Sequence, residues 1–280
     1  MELRFSKYQG IGNDFIIFEE SEVVDLDFSL LAQNVCNRKF GIGADGMIIC
    51  RREPNIEMVF YNADGSRAPM CGNGIRCFGH YLKQSGLDGQ EVDIKTLAGN
   101  LTLEYRNADG SSSRVYMGNP KWDVKEIPAK VAKSDMDKIL RFKQILFDED
   151  IELNSLYMGT THTIVEVSQI DESYASQFGP AIENLDIYPE KTNVNFVNWV
   201  DEEHLEILTW ERGVGITLAC GTGACAAVVV GDVLSKNGKK AEVKSKGGTL
   251  LIEIDGKEVY MTGPSQKICS GLYTYIKGGY

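Results

Sequence analysis

The chain has 280 residues, 43% of them hydrophobic and 25% charged, enough to bury a full core and more comfortable as two domains than as one. Its net charge of −11 repels phosphate backbones and anionic membranes, which argues against nucleic acid or a membrane surface as partner. Seven cysteines and three histidines, without a Cys-x-x-Cys pair or an apolar leader, argue against a disulfide framework, a metal site or a membrane span; we expect a cytoplasmic protein with reduced thiols.

In chain order, strand-like runs come first at 15–18, 47–50 and 58–61, apolar or alternating and bounded by Gly, Asn or Asp. A proline-free apolar stretch at 74–84, directly after Cys71-Gly72-Asn73-Gly74, predicts a helix, and strands at 92–95 and 101–105 follow it. Between 121 and 155 the stretch "KSDMDKILRFKQILF" has apolar residues at helical spacing and predicts a bridge between two halves. A second helix is expected at 223–235 after Cys220-Gly221-Thr222-Gly223, and the closing "ICSGLYTYIKGGY" is expected to return as a strand to the first domain.

The two halves echo each other. At a shift of 149 residues Cys71-Gly72-Asn73-Gly74 falls on Cys220-Gly221-Thr222-Gly223, and Asp93-Ile94-Lys95-Thr96 falls on Glu242-Val243-Lys244-Ser245. With one residue of slippage "GNLTLEY" (99–105) matches "GGTLLIE" (247–253), and further on, at a shift of 144, "VYMGNP" (115–120) matches "VYMTGP" (259–264). Upstream, at a shift of 147, "GNDFII" (12–17) lies over "GTTHTI" (159–164). Five segments in one order indicate an internal duplication. The expected domains are 1–120 with 265–280, and 121–264.

A Gly-x-Gly turn lets backbone approach a ligand, and a helix starting there presents unpaired N–H groups and the positive end of its dipole to an anion. Cys71 and Cys220 stand at the two helix starts, where the same field favours thiolate. A single cysteine before a helix is more often packing than chemistry, and Cys36, Cys50, Cys77, Cys225 and Cys269 are read as packing. Neither turn ends in the Gly-Lys-Ser/Thr of a phosphate-binding loop. Two thiols opposed around one anion site suit inversion at the carbon beside a carboxylate: one removes the Cα proton and the other protonates the opposite face.

Seven segments carry a resemblance: "GIGNDF" (10–15), "GIGADG" (41–46), "YNADGS" (61–66), "CGNGIRC" (71–77), "NVNFV" (193–197), "WERG" (210–213) and "CGTGACAA" (220–227). Over nearly its whole length the chain resembles the diaminopimelate epimerase family, pyridoxal-phosphate-independent enzymes that interconvert LL- and meso-diaminopimelate for lysine and peptidoglycan synthesis. The resemblance implies an α/β (α+β) fold of two pseudo-symmetric domains, each a strongly curved sheet around a central helix, with the active site in the cleft between them. It implies Cys71 and Cys220 as the catalytic pair, with the backbone of Gly72, Asn73, Gly221 and Thr222 under the α-carboxylate. Asn13 and Glu211 would hold the α-amino group, Asn62, Asn193 and Arg212 the distal end, and His162 would support the cysteines. It further implies no cofactor and no metal, an amino-acid substrate and a homodimer.

Other readings of the same residues stay open. Asn62-Ala63-Asp64-Gly65 is also a good hairpin turn, and Glu211 with Arg212 also reads as a solvated pair. Thr160 stands where the family commonly has Asn, and Gly46 where some members have a substrate-contacting Gln. These departures keep a racemase of another amino acid, for example histidine, in view, and a non-catalytic amino-acid-binding or thiol-sensing protein is the alternative outside catalysis.

Overall fold

The computed structural model describes residues 1–130 and 137–276. The chain divides into two compact units, Met1–Val115 with Thr262–Tyr280, and Tyr116–Met261. In the first unit β1 (Glu2–Gly10) turns through Ile11 and Gly12, both at positive φ, into antiparallel β2 (Asn13–Glu19). Two helices, α1 (Glu20–Val23) and α2 (Phe28–Cys36), lead to β3 (Gly46–Arg51), which runs parallel to β2. Asp27 starts α2 by accepting the Leu30 N–H at 3.1 Å. Leu31, Ala32 and Val35 of α2 pack with Ile16, Phe18, Met47 and Ile49 on one face of the β2–β3 pair.

The sheet continues through β4 (Glu57–Asn62) and the short β5 (Arg67–Ala68), both antiparallel to their predecessors. From there α3 (Gly72–Gln84) carries the chain across to β6 (Glu91–Thr96), parallel to β4, followed by antiparallel β7 (Gly99–Tyr105) and β8 (Ser112–Gly118). Helix α3 packs on the face opposite α2, its Gly74 lying against Phe15. Both faces of β2 are therefore covered, which is why it reads as a continuous apolar run rather than an alternating one.

The second unit repeats this plan. An antiparallel pair, β9 (Ile139–Leu146) and β10 (Glu149–Tyr157), precedes β11 (Thr161–Glu166), α4 (Glu172–Glu183) and β12 (Asn193–Trp199), with β11 parallel to β12. Next come β13 (His204–Glu211), β14 (Gly215–Thr217), α5 (Gly221–Val233), β15 (Lys240–Ser245), β16 (Gly248–Asp255) and β17 (Glu258–Pro264). Ala175, Phe178 and Ile182 of α4 pack on Val165, Val194 and Phe196, as α2 does in the first unit. The last strand, β18 (Gln266–Thr274), pairs antiparallel with β1, the return expected of the closing segment, whose residues 277–280 lie outside the described ones. Among the described residues no helix is long and apolar enough to cross a membrane.

Three expectations are corrected. Residues 139–147 of the expected bridge form a strand and its turn, not a helix, while 133–136 lie outside the described residues. The cause is a β-bulge: Ile139 pairs with Ser155 but Phe142 with Leu153, and Arg141, at φ 51°, donates its N–H to Asn154 Oδ1 at 2.8 Å. The extra residue changes the strand's phase, so Ile139, Phe142 and Leu146 acquire a helix-like spacing within a strand. The one-residue slippage is also absent: Val92 pairs with Leu103 and Thr96 with Gly99, while Ala241 pairs with Ile252 and Ser245 with Gly248, keeping the shift at 149. Both cysteine-led helices begin two residues earlier than expected, at Gly72 and Gly221.

Candidate active site

In the first unit Cys71 is the N-cap of α3, extended at φ −134° and ψ 124°, and its carbonyl accepts the first helical bond, from Ile75 N–H at 2.9 Å. Asn13 at the start of β2 places Oδ1 4.0 Å from the Cys71 Sγ. Asn73 is buried and its Oδ1 accepts from Arg76 Nη2 at 3.0 Å. Arg76 itself is fully buried, donating also to the carbonyls of Gly72 at 2.9 Å and Pro264 at 3.4 Å, so a cation lies one turn inside the helix. Asn62 ends β4 and its amide donates to Ser66 Oγ at 2.9 Å, inside a turn where Ser66 is held by Asp64. Opposite Asn62 in the ladder stands Gly46, where an added Cβ would lie 2.5 Å from the Phe60 ring and 2.9 Å from the Tyr61 carbonyl. On this backbone a glutamine does not fit; packing accounts for that departure.

In the second unit Cys220 is the N-cap of α5, at φ −126° and ψ 112°, and its Sγ accepts from Gly223 N–H at 3.4 Å. Thr222 Oγ1 lies 3.4 Å from the same sulfur and 3.0 Å from His162 Nε2. The other ring nitrogen of His162 faces Asn195 Nδ2 at 3.1 Å. The orientation of that amide is set on both sides, since Thr209 Oγ1 donates to Asn195 Oδ1 at 2.9 Å and Asn195 Nδ2 also reaches the Thr163 carbonyl at 3.4 Å. An amide N–H directed at Nδ1 makes that nitrogen the acceptor, so the ring proton sits on Nε2 and goes to Thr222. The Thr222 hydroxyl, accepting from His162, has its own proton to give to the Cys220 sulfur. Burial, with the Arg212 charge adding to it, pushes the His162 pKa down to about 3, so the ring is neutral at pH 7.

Asn193 accepts the Arg212 backbone N–H on Oδ1 at 2.9 Å, and Arg212 Nη1 donates to the Glu190 carbonyl at 2.8 Å. Glu211 accepts from Thr217 Oγ1 at 2.8 Å. The structure thus brings Asn193, Glu211, Arg212, Cys220, Gly221, Thr222 and His162 into one connected region of the second unit. It gathers Asn13, Cys71, Gly72 and Asn73 at the start of α3 in the first. Asn195 and Thr209 escaped the sequence reading. Asn195 shares a strand face with Asn193 two residues away, which was readable; its partner Thr209 became visible only through the β12–β13 register.

The two environments occupy matching places. Phe15 pairs with Gly46 in the first unit as His162 pairs with Asn193 in the second, both at the 147-residue shift. Carried through the ladders, the places of His162, Asn195 and Thr209 belong in the first unit to Phe15, Ile48 and Phe60. The floor under Cys220 is a hydrogen-bonded network, and the floor under Cys71 is apolar.

Solved structures share this architecture across almost the whole chain. A probable proline racemase from Agrobacterium radiobacter matches with a TM-score of 0.67 at 15% identity, over 98% of this chain and 93% of its own. A hydroxyproline epimerase from Agrobacterium vitis matches at 0.66 and 14% identity, over 97% and 92%. A PhzF-family phenazine biosynthesis protein from Bacillus anthracis matches at 0.65 and 14%, over 99% and 100%. The fold is the mixed α/β fold of that group. Within it, the sequence model described as diaminopimelate epimerase matches residues 5–123 and 154–268. A diaminopimelate epimerase from Halothermothrix orenii is 43% identical over 99% of this chain and 100% of its own length. Another, from Caldanaerobacter subterraneus, is 41% identical over 96% and 98%. The chain belongs to the diaminopimelate epimerase family, a family of pyridoxal-phosphate-independent isomerases.

Proposed function

We propose that this chain interconverts LL- and meso-2,6-diaminopimelate with Cys71 and Cys220 as its acid/base pair. One observation carries the reading: two cysteines cap helices of equal length, 13 residues each, in the same extended conformation, at matching places of one repeated topology. One sulfur, as thiolate, takes the Cα proton from one face of the substrate; the other, as thiol, delivers a proton to the opposite face, and the roles exchange in the reverse direction. The backbone N–H groups of Gly72, Asn73, Gly221 and Thr222 receive the α-carboxylate, where the two helix starts stabilise charge as the carbanion forms.

Asn13 and Glu211 hold the α-ammonium group so that the Cα–H points at sulfur, and Asn62, Asn193 and Arg212 take the distal amino-acid end, the guanidinium forking onto its carboxylate. His162 supports the Cys220 thiol. In this reading each sheet curves round its cysteine-led helix, and the domains 1–120 with 265–280 and 121–264 close on the substrate, excluding water from the carbanion. The chemistry calls for no metal or organic cofactor. The enzyme works in the cytoplasm as a homodimer.

The test is proton NMR in D2O with LL-diaminopimelate and a panel of other L-amino acids. Deuterium enters Cα of diaminopimelate, and Cys71→Ala and Cys220→Ala each abolish the exchange. Exchange of histidine or another amino acid without diaminopimelate overturns the substrate assignment, with Thr160 then the first position to examine. Exchange of none under reducing conditions overturns catalysis.

A further inference from the structure

Glu183, the last residue of α4, is 4% exposed and holds the turn that carries Arg212. Its Oε2 accepts the Trp210 indole N–H at 2.7 Å, and its Oε1 accepts the Gly213 backbone N–H at 3.2 Å and the Lys191 ammonium at 3.1 Å. One turn back on the same helix, Gly179 lies so close to the Trp210 ring that an added Cβ would stand 2.6 Å from it. Lys191, at φ 62°, follows the Glu190 carbonyl that holds the Arg212 guanidinium. The segment 190–193 and the turn 210–213 are therefore both tied to a single carboxylate. Burial alone would raise the Glu183 pKa, but the bonds from Trp210, Lys191 and Gly213 outweigh it and hold the carboxyl below the usual range.

The first unit contains the same device in other chemistry. There α2 reaches the turn after β4 through Ser29 Oγ, which donates to the Gly65 carbonyl at 2.7 Å, and Gln33 Nε2, which donates to the Asp64 carbonyl at 3.0 Å. The matching helix thus clamps the matching turn in both units, with neutral groups in one and a charged group in the other. We infer that Glu183 is a positioning residue for specificity, holding the 210–213 turn and the 190–193 segment so that Arg212 and Asn193 are set to receive the distal carboxylate of the substrate. The inference rests on the proposed reading of Arg212 and Asn193.

Glu183→Gln keeps one acceptor oxygen, turns the other into an NH2 group that must face either the Trp210 indole N–H or the Gly213 and Lys191 donors, and loses the charge that holds Lys191. We expect KM for diaminopimelate to rise about tenfold with kcat within about threefold, the pattern of a lost binding contact. In an Arg212→Lys background, where the fork being positioned is gone, the same substitution adds less than about twofold. Trp210→Phe, which removes the indole donor together with part of the ring that packs beside Gly179, raises KM about threefold. A fall in kcat at constant KM, or an effect undiminished by Arg212→Lys, overturns the inference. If Glu183→Gln does not fold, Trp210→Phe with and without Arg212→Lys decides the matter by the same criteria. If the wild type turns over another amino acid and not diaminopimelate, the substrate reading fails by itself, and the same comparison made with that amino acid decides the role of Glu183.

Discussion

Cys220 differs from Cys71 in the groups behind it. The line Thr209, Asn195, His162, Thr222 passes donors toward the Cys220 sulfur, each fixed by the one before, whereas Phe15 and Phe60 meet edge to face at 5.9 Å in the corresponding place behind Cys71. Removing the last hydroxyl, as Thr222→Val, leaves the helix start and the Gly223 N–H intact but takes one hydrogen bond from the thiolate. In a Cys71→Ser background the pH midpoint for alkylation of Cys220 should rise by about one unit, the equivalent of one hydrogen bond of about 1.4 kcal/mol, and Thr222→Ser should restore it. An unchanged midpoint would show that the hydroxyl does not act on the sulfur. At this scale the sequence was legible where residues repeat: the echo of Cys71 in Cys220 singled out both. Asn195, Thr209 and Glu183 have no echo and belong to no cysteine motif. What they do depends on which strand lies beside which, and that information lies in register rather than in neighbouring letters.

Between elements, the two cysteine-led helices make different demands on the glycine three residues past each sulfur. A Cβ at Gly74 would lie 3.2 Å from the flexible end of Met58 and 3.4 Å from Phe15. A Cβ at Gly223 would run into Asn195 Oδ1, the atom that fixes the amide behind His162. Gly74→Ala should therefore cost little, since the helical gain of alanine, about 1 kcal/mol, offsets the tight contact. Gly223→Ala should destabilise by about 1–3 kcal/mol, as overpacking does, and should lower kcat as well by turning Asn195 away from the imidazole. Melting temperatures and turnover of the two variants, measured side by side, check this; equal effects would show that the polar floor is no more rigid than the apolar one. The two cysteine-led helices, α3 and α5, were readable because they are proline-free and apolar, whereas α2 and α4, which follow no cysteine motif, were not read from the sequence. The failure at 139–147 has one physical source: a bulge at Arg141 moved a strand's apolar residues to helical spacing, and no local pattern distinguishes that from a helix.

For the whole molecule, the duplication explains both the economy of the sequence and the sensitivity to acid that we expect of it. One topology written twice made the architecture readable from matched segments alone, while the divergence between the copies placed a buried imidazole where the first copy has Phe15. His162 has its pKa pushed down to about 3 by burial and by the Arg212 charge, against about 6.5 in an unfolded chain. Between those values the unfolded chain binds a proton that the folded chain refuses, so stability falls as pH drops below about 6.5, by up to about 1.4 kcal/mol per unit. His80, lowered mainly by burial against the opposing charge of Asp109, acts in the same direction. Asp14 adds its part only further down: burial would raise it, but its bonds to Arg38 and Lys7 hold it at about 2, so its contribution is lost as pH falls from about 3.8. Exposed His204, raised by Asp201, has the opposite sign and is screened by solvent. Between pH 7 and 4.5 we therefore expect the melting temperature to fall by several degrees, through about 2–3 kcal/mol from His162 alone. His162→Gln, which keeps a polar side chain but removes the titration, should flatten that slope even though it lowers the melting temperature at pH 7. A variant with the wild-type slope would mean that the imidazole titrates normally in the fold and that the network behind Cys220 is open to water.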